Sequence, residues 1–291
     1  LLDNVRMLDD EEDEKKALSG ESALVRELSS FVDVFVNDAF SVSHRAHASV
    51  VGFTRMPSCF GRLMESELES VEKAMDAKGV NTYILGGAKS DDCINIMDHI
   101  LKVNPDEMEF ALTCGVTANL FLKAAGIKIG KGSEQLLEKK DLLKYVDTCK
   151  EILHEYPDRI MLPVDVAIEK ENRRIEIQAD KIPADAAVLD IGSKTVDKYR
   201  KIIDKSKTII VKGPAGLYEN KLFSKGTKEL FTAVAKSKAF TIIGGGDTNL
   251  AIDALKISRK RFGHVSLGGG ALITYLSGKS MPGIDAIMNK K

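Results

Sequence analysis

The chain alternates short apolar stretches with longer amphipathic ones. The short stretches are rich in β-branched residues and predict strands over residues 32–36, 82–85, 109–112, 160–166, 187–190, 208–211 and 241–243. Several are apolar throughout, which is typical of strands that helices cover on both faces. Strands that alternate with helices favour βαβ units on a parallel sheet, so we predict an α/β fold.

The amphipathic stretches have apolar residues at helical spacing. They predict helices over residues 15–31, 60–75, 116–125, 136–156, 220–235, 247–261 and 269–276. The helix at 60–75 separates a short N-terminal block from the regular α/β series. We therefore predict an N-terminal domain over residues 1–59, a hinge helix between domains over 60–79 and a C-terminal domain over 80–291. The acidic run at residues 9–14 predicts a solvated loop.

Composition and charge exclude several classes of protein. A length of 291 residues suggests about two domains. The net charge of −1 gives no overall field that favours nucleic acid or membranes, and no apolar run approaches the roughly 20 residues of a membrane span. The four cysteines form no C-x-x-C pair, which fits a reducing cytosol. We expect a cytoplasmic monomer that binds small molecules.

Glycines follow six of the short apolar stretches. The junctions are Gly86-Gly87-Ala88-Lys89, Cys114-Gly115, Gly192-Ser193, Gly213-Pro214-Ala215-Gly216, Gly244-Gly245-Gly246-Asp247-Thr248 and Gly268-Gly269-Gly270. The carboxyl ends of parallel strands lie along one edge of a sheet, where ligands bind. Glycine there lets backbone N–H groups approach a phosphate. One such junction is more often a tight turn, but six together predict a phosphate-rich ligand.

Three charged residues at these junctions have two interpretations each. Lys89 at a helix start opposes the helix dipole, so it is either a solvent-facing lysine or a partner for a negative ligand. Asp247 is either a helix N-cap or a Mg²⁺ ligand, with the hydroxyl and amide of Thr248 on a phosphate. Glu219 is either solvated or bound to a ribose hydroxyl. The spacing around Lys89 does not match a Walker A loop.

A second candidate site lies near the N-terminus. Arg45 and the distant Arg6 could hold a phosphate or carboxylate through paired hydrogen bonds. The alternative is that His44 and Arg45 are exposed to solvent and bind no ligand. Metal binding by His44 and His47 is disfavoured, because no carboxylate or cysteine completes the ligand set.

Several of these segments resemble motifs of the phosphoglycerate kinase family, in its archaeal form. They are Leu2-Asp3-Asn4-Val5-Arg6, Val36-Asn37-Asp38-Ala39-Phe40, His44-Arg45-Ala46-His47, Gly86-Gly87-Ala88-Lys89, Asp190-Ile191-Gly192, Gly213 to Glu219, Gly244 to Thr248, His264 to Gly270 and Met281-Pro282-Gly283. They occur in the family's order along the chain. Together they make a specific match.

The resemblance implies two Rossmann-like parallel-sheet lobes joined by a helical hinge, and reversible phosphoryl transfer between 1,3-bisphosphoglycerate and ADP in glycolysis. It implies that ADP or ATP binds with Mg²⁺ on Asp247. It implies catalytic roles for Lys89, Gly245 and Gly246, and phosphoglycerate binding by Arg6, His44 and Arg45. The nucleotide site it implies comprises Gly87, Ala88, Gly115, Gly192, Gly213, Ala215, Tyr218, Glu219, Gly244 and Thr248.

The chain also departs from the family pattern. Cys93 stands where bacterial and eukaryotic members have a second lysine after G-G-A-K, although archaeal members also lack that lysine. Cys114 replaces a glycine, Ser193 a proline and Lys212 the asparagine before Gly-Pro. Early family motifs, D-x-N and H-L-G-R-P, have no counterpart.

Because the chain begins with Leu and lacks those motifs, we expect an incomplete N-terminal lobe. We therefore expect a chain that binds nucleotide through residues from about 80 onward and turns over poorly. A non-catalytic nucleotide-binding remnant with a regulatory role is the alternative. A dinucleotide-dependent dehydrogenase is disfavoured, because no G-x-G-x-x-G motif follows the first strand.

Overall fold

The computed structural model describes residues 2–53, 55–75 and 79–289. Its strands are β1 (Phe35–Asn37), β2 (Ser58–Phe60), β3 (Asn81–Leu85), β4 (Phe110–Thr113), β5 (Ile160–Met161), β6 (Asp165–Lys170), β7 (Arg173–Gln178), β8 (Val188–Ile191), β9 (Thr208–Lys212), β10 (Phe240–Gly244) and β11 (His264–Ser266). The predicted α/β fold class is confirmed.

The helices follow the strands along most of the chain. They are α1 (Glu14–Ser19), α2 (Ala23–Leu28), α3 (Ala48–Val51), α4 (Arg62–Met75), α5 (Ser90–Val103), α6 (Gly115–Ala124), α7 (Lys131–Lys139), α8 (Val146–Glu155), α9 (Ser193–Ile203), α10 (Lys225–Lys236), α11 (Gly246–Ala254), α12 (Gly269–Leu276) and α13 (Pro282–Met288). Short 3₁₀ turns, such as Val5–Met7 and Phe40–Val42, connect some of them.

The chain divides into two compact units. The first comprises Leu1–Glu72 and Leu267–Lys291, and the second comprises Lys73–Ser266. These bounds differ from the predicted ones, which placed all of residues 80–291 in one domain. Helix α4 lies within the predicted hinge segment 60–79, but residues 76–78 of that segment are outside the described residues, as are 1, 54, 290 and 291.

The C-terminal helices belong to the first unit because of contacts that span most of the sequence. The buried Asn37 amide donates to the carbonyl oxygen of Gly283 at 3.2 Å, and the Gly283 amide donates to the Ser43 carbonyl at 2.8 Å. The rings of Phe40 and Tyr275 meet edge to face, with centroids 6.4 Å apart. Two motifs from opposite ends of the chain, around residues 37 and 283, therefore stabilise the same small core.

The second unit is built on a six-stranded parallel sheet, in the order β11-β10-β9-β3-β4-β5. The chain starts in the middle at β3, adds β4 and β5 on one side, and then adds β9, β10 and β11 on the other. Apolar side chains of β3, β4, β9 and β10 are fully buried against α9, α10 and α11; they include Ile84, Leu112, Val211 and Ile243. Burial of each such side chain contributes about 1.5–3 kcal/mol.

Several predicted elements are divided in the structure. The predicted helix at 136–156 is two helices, α7 and α8, and Asp141 between them has a left-handed backbone with φ of 54°. The predicted helix at 15–31 breaks at Gly20, which ends α1 with φ of 71°. The predicted strand at 160–166 is β5 and the start of β6, which pairs antiparallel with β7 and β8 in a separate sheet. In the two predicted helices, apolar residues keep their helical spacing across the turn, so the pattern did not reveal the break.

Candidate functional site

The strand order of the second unit creates a crevice at one position. The chain after β3 continues through α5 to β4, whereas the chain after the adjacent β9 continues through α10 to β10 on the other side. Ligands of open α/β sheets bind beyond the carboxyl ends of the strands at such a reversal. The glycine junctions at Gly86-Gly87 and Gly213 follow these two strands, so they flank the crevice.

Glycine is required here because three loops approach one another closely. A Cβ on Gly87 would lie 3.1 Å from the Gly213 Cα, and one on Gly115 would lie 2.7 Å from the Gly87 nitrogen. A Cβ on Gly213 would collide with the Gly86 carbonyl oxygen. All three have positive φ, which side chains rarely tolerate.

The amides of these glycines bond to protein. Gly87 donates to the Pro214 carbonyl at 2.8 Å, Gly115 to the Ala215 carbonyl at 3.0 Å, and Gly213 to the Thr248 hydroxyl at 2.7 Å. This differs from the expectation that such amides face a phosphate. These hydrogen bonds hold the loops together, and the Val116 amide in the first turn of α6 likewise donates to the Gly87 carbonyl at 3.1 Å. The first amides of α11 have no acceptor within their helix, so they can bond to a ligand.

A cavity of about 380 Å³ opens beside these loops. This volume lies within the range of small-molecule sites. Its apolar walls come from α6, α7, β6 and β8. Of the predicted site residues, the cavity brings together Gly87, Ala88, Gly115, Ala215, Tyr218, Glu219 and Asp247.

Two carboxylates lie at the polar end of this cavity. Glu219 and Asp247 line it together with Tyr218. Burial raises the pKa of Tyr218, and the neighbouring Glu219 and Asp247 carboxylates raise it further. Asp247 lies in the first turn of α11, whose N-cap is Gly245. Asp247 is therefore not the helix cap, and its exposed carboxylate is available for a ligand.

Other predicted residues lie near the cavity without lining it. Thr248 accepts from the Gly213 amide and donates to the Gly244 carbonyl at 2.8 Å, so its hydroxyl is bonded to two loops of the protein. A Cβ on Gly246 would meet nothing within 4 Å, so the backbone before α11 is open. Lys89 lines a neighbouring cavity of about 350 Å³, which shares Ala88 and Lys140 with the first.

The structure does not bring Gly192 to the cavity. Its amide donates to the Asp165 carbonyl at 3.0 Å, and a Cβ there would collide with the Asp165 carboxylate. That carboxylate accepts from the Lys194 and Thr195 amides at 3.0 and 2.7 Å, which caps α9. Since a carboxylate of the protein already occupies this helix N-terminus, Gly192 has a structural role.

A buried ion pair supports one wall of the cavity. Burial raises the pKa of Asp190 to about 6, although the Gly226 amide at 2.7 Å and the Arg174 guanidinium at 2.7 Å act against that rise. Arg174 also donates to the carbonyl oxygens of Ile191 and Leu222. The pair thus fixes β8, β7 and the loop before α10 around the cavity.

The candidate substrate residues of the first unit lie on turns. Arg6 lies in a 3₁₀ turn, where its Nε is 3.3 Å from Glu12 Oε1, and the same oxygen lies 3.9 Å from His47 Nε2. Arg45 Nε donates to His44 Nε2 at 3.3 Å. Arg6 is thereby near the segment that carries His47, and the Glu12 carboxylate pairs with it.

The prediction of a solvated acidic loop is wrong for Glu11. Its side chain is 1% exposed and accepts from the Ser49 amide at 3.1 Å and the Ser49 hydroxyl at 2.5 Å. Asp13, two residues on, caps α1 by accepting from the Lys16 amide. This part of the run is a structural clamp on the segment that follows His47.

Sequence reasoning missed several residues that line the cavity. They are Asn119, Leu136, Lys140, Pro163, Val166 and Val188. Leu136 and Lys140 carried no signal, because the pattern placed them inside one long helix. Among the described residues, no cluster of three metal-ligating side chains occurs, and no helix is both long and apolar enough to cross a bilayer.

Comparisons with known proteins identify the family. The model of the family "Phosphoglycerate kinase" matches residues 1–279. The chain belongs to the phosphoglycerate kinase family. It is 40% identical over 291 residues to the phosphoglycerate kinase of Methanopyrus kandleri, covering 99% of this chain and 71% of that one. It is 42% identical to that of Methanothermus fervidus, covering 99% and 70%.

Solved phosphoglycerate kinases have the same fold. The crystal structure of the Pyrococcus horikoshii OT3 enzyme matches with a TM-score of 0.89 and 35% identity, over 98% of this chain and 71% of that one. The Coxiella burnetii enzyme matches with a TM-score of 0.83 and 30% identity. The predicted family and kinase function are confirmed, and the non-catalytic alternative is not favoured. Phosphoglycerate kinases act on small-molecule substrates that include a nucleotide.

Proposed function

We propose that the second unit binds ADP or ATP with Mg²⁺, and that the first unit binds phosphoglycerate, for reversible phosphoryl transfer. One observation carries the nucleotide assignment. Residues from four separated strand ends, among them Gly87, Gly115, Ala215 and Asp247, line a single cavity at the sheet's reversal point. A nucleotide fits this arrangement, because the walls are apolar and the open end has carboxylates and helix N-termini.

The polar groups suggest how the nucleotide lies. The base fits against the apolar walls from α7, β6 and β8, and Glu219, which lines the same cavity, accepts from a ribose hydroxyl in this arrangement. The phosphates then extend toward α11, where the first amides and the positive end of the helix dipole favour negative charge. Lys89, at the start of α5, supplies a cation for the transferring phosphoryl group.

Asp247 suits Mg²⁺ because this ion commonly takes one or two carboxylates together with substrate phosphates. Its carboxylate lines the cavity and does not cap α11. The bound ion would neutralise charge on the phosphate oxygens. Gly192 is not part of the proposed site, because the Asp165 carboxylate lies against it.

Titration calorimetry with ADP in the presence and absence of Mg²⁺ tests the nucleotide site. We expect Asp247→Asn to weaken Mg²⁺-dependent ADP binding about tenfold and to leave Mg²⁺-free binding within about twofold. Asp253→Asn is the matched control, because Asp253 lies on the same helix, paired with Arg259 on the surface. Equal affinities of Asp247→Asn and the control would contradict the metal assignment.

Binding of 3-phosphoglycerate tests the first unit. We expect Arg45→Met to weaken it about tenfold, since a charge-assisted hydrogen bond contributes roughly 1.5–3 kcal/mol. Arg62→Met removes an equal charge from an exposed position in the same unit and should leave binding unchanged. An unchanged affinity in Arg45→Met would refute this part of the proposal.

We also propose a cytoplasmic location. The four cysteines are unpaired, and three of them, Cys93, Cys114 and Cys149, are buried. Free thiols persist in a reducing compartment. Fractionation of cells that express the protein, followed by immunodetection, would test this proposal.

A further inference from the structure

Lys212 is a buried lysine at the carboxyl end of β9, one residue before Gly213. Its side chain is only 10% exposed, and its Nζ lies 2.7 Å from the Asp92 Oδ2 in the first turn of α5. Burial of an ammonium group is costly unless a partner compensates for the lost water. Asp92 is that partner, but it is itself 43% exposed, so its carboxylate can return to water at little cost.

The strand register places Lys212 between two glycine junctions. It pairs with Leu85 on β3, which precedes Gly86-Gly87, and with Gly244 on β10, which precedes α11. The Gly86 amide also donates to the Lys212 carbonyl at 2.7 Å. Since Gly87 and Asp247 both line the proposed nucleotide cavity, a polyphosphate that reaches from one to the other crosses the end of β9.

The neighbourhood of Lys212 includes the position where the family pattern has a second lysine. Cys93, which stands there, directly follows Asp92, and its Sγ lies 3.6 Å from the Gly86 carbonyl oxygen. Burial raises the pKa of the Cys93 thiol, and the positive charge of the Lys212 ammonium opposes that rise. This chain has no lysine at position 93 on α5. It has Lys212 instead, on the nearby strand β9, where the family pattern has asparagine.

We propose that Lys212 binds the terminal phosphoryl group of the nucleotide. Asp92 holds the ammonium while the site is empty and releases it when the nucleotide binds. An ammonium group has three N–H donors, and the hydrogen bond to Asp92 uses one of them. This inference rests on the proposed function, in which the second unit binds ADP or ATP.

Calorimetric titration with AMP, ADP and ATP in Mg²⁺ tests the inference without requiring turnover. We expect Lys212→Met to weaken ATP binding about tenfold and AMP binding less than about twofold, because AMP lacks the terminal phosphoryl group. Lys212→Asn should weaken ATP binding relative to AMP binding by the same factor. Lys205→Met is the control, since Lys205 is exposed after the end of α9, and it should bind all three nucleotides as the parent chain does.

Moving the lysine from position 212 to position 93 distinguishes a role of Lys212 in nucleotide binding from a structural role. Adding Cys93→Lys to Lys212→Asn moves the cation to α5 and should restore ATP affinity to within about threefold of the parent. Asp92→Asn frees the ammonium and should retain or raise ATP affinity. If Lys212 were only half of a stabilising pair, Asp92→Asn would lose as much ATP affinity as Lys212→Met.

Two results would overturn the inference while leaving the proposed function intact. One is an equal loss of AMP and ATP affinity in Lys212→Met, and the other is an equal loss of ATP affinity in Lys212→Met and Asp92→Asn. A parent chain that binds no adenine nucleotide at all would overturn the proposed function, and this inference with it. The midpoints of urea unfolding identify any variant whose loss of binding comes from loss of the fold.

Discussion

The two units differ in what positions their candidate site residues. In the second unit, the residues around the cavity follow strands of a six-stranded parallel sheet directly, and hydrogen bonds between loop backbones fix them. In the first unit, β1 and β2 have three residues each, and Arg6, His44 and Arg45 lie on turns held by side-chain contacts. Backbone hydrogen bonds therefore hold the residues of one candidate site, and side-chain contacts hold those of the other.

The same difference is visible in burial. The strands of the large sheet are almost fully buried, whereas Phe31, Val34 and Val36 of the first unit are 81%, 52% and 50% exposed. Less apolar burial provides less of the free energy that holds loops in place. Changes in the second unit should therefore affect stability most, and changes in the first unit should affect binding at a smaller cost in stability.

The largest expected effect comes from the loop contact in the second unit. Gly213→Ala places a Cβ against the Gly86 carbonyl oxygen at a residue with φ of 83°. Backbone strain and overpacking together should lower the unfolding free energy by about 4 kcal/mol. Gly246→Ala is the control, because its Cβ would meet no neighbouring atom and it should change stability by less than about 1 kcal/mol. Urea unfolding measures both, and equal effects would contradict the role of backbone approach.

The buried pair in the second unit predicts a dependence on pH. The folded pKa of Asp190 is raised from 3.8 to about 6, so the folded state binds more protons than the unfolded state between these values. Its contribution to stability is therefore present at low pH and is lost as the pH rises from about 4 to about 6, by about 3 kcal/mol. Urea unfolding across this range should show the slope in the parent chain and a shallower one in Asp190→Asn. An identical slope in both would exclude this group as the cause.

A smaller effect is expected for the clamp in the first unit. Glu11→Ala removes the acceptor for the Ser49 amide and hydroxyl, and should lower the stability of this unit by about 2 kcal/mol. Hydrogen exchange should rise in peptides from residues 40–53, while ADP affinity in the second unit remains within about twofold. Glu21→Ala, at an exposed residue, should change neither quantity. An equal rise in hydrogen exchange in both units would show that the two do not unfold independently.

The smallest effect concerns the ion pair at Arg6. The two side chains are 46% and 60% exposed, and surface pairs of this kind contribute about 0–1 kcal/mol. Glu12→Gln should leave stability unchanged within about 0.5 kcal/mol and tighten 3-phosphoglycerate binding about threefold, because Arg6 loses its competing carboxylate. Calorimetry provides the test, and weaker binding would show that Glu12 orients Arg6 instead of competing for it.

The sequence alone determined the fold class and part of the lining of the cavity. Continuous apolar runs with glycine at their ends identified β3, β4, β9 and β10 to within two residues, because buried parallel strands leave a strong local signal. The same kind of run identified β8, although β8 belongs to the antiparallel sheet. The order of motifs identified the family. Local patterns could not show that α12 and α13 pack with residues 37–43, because that contact joins positions 246 residues apart.

Only the tertiary structure decided which groups face a ligand. The sequence marked Gly87, Gly192 and Thr248 alike, yet their polar groups are occupied by partners on other loops that no pattern indicates. The sequence also showed that Lys212 departs from the family pattern. It did not show that Lys212 pairs with Asp92 or that it lies near Cys93. Composition and periodicity record which residues tend to be buried. Which donors and acceptors remain free depends on the register of the strands and the packing of the loops between them.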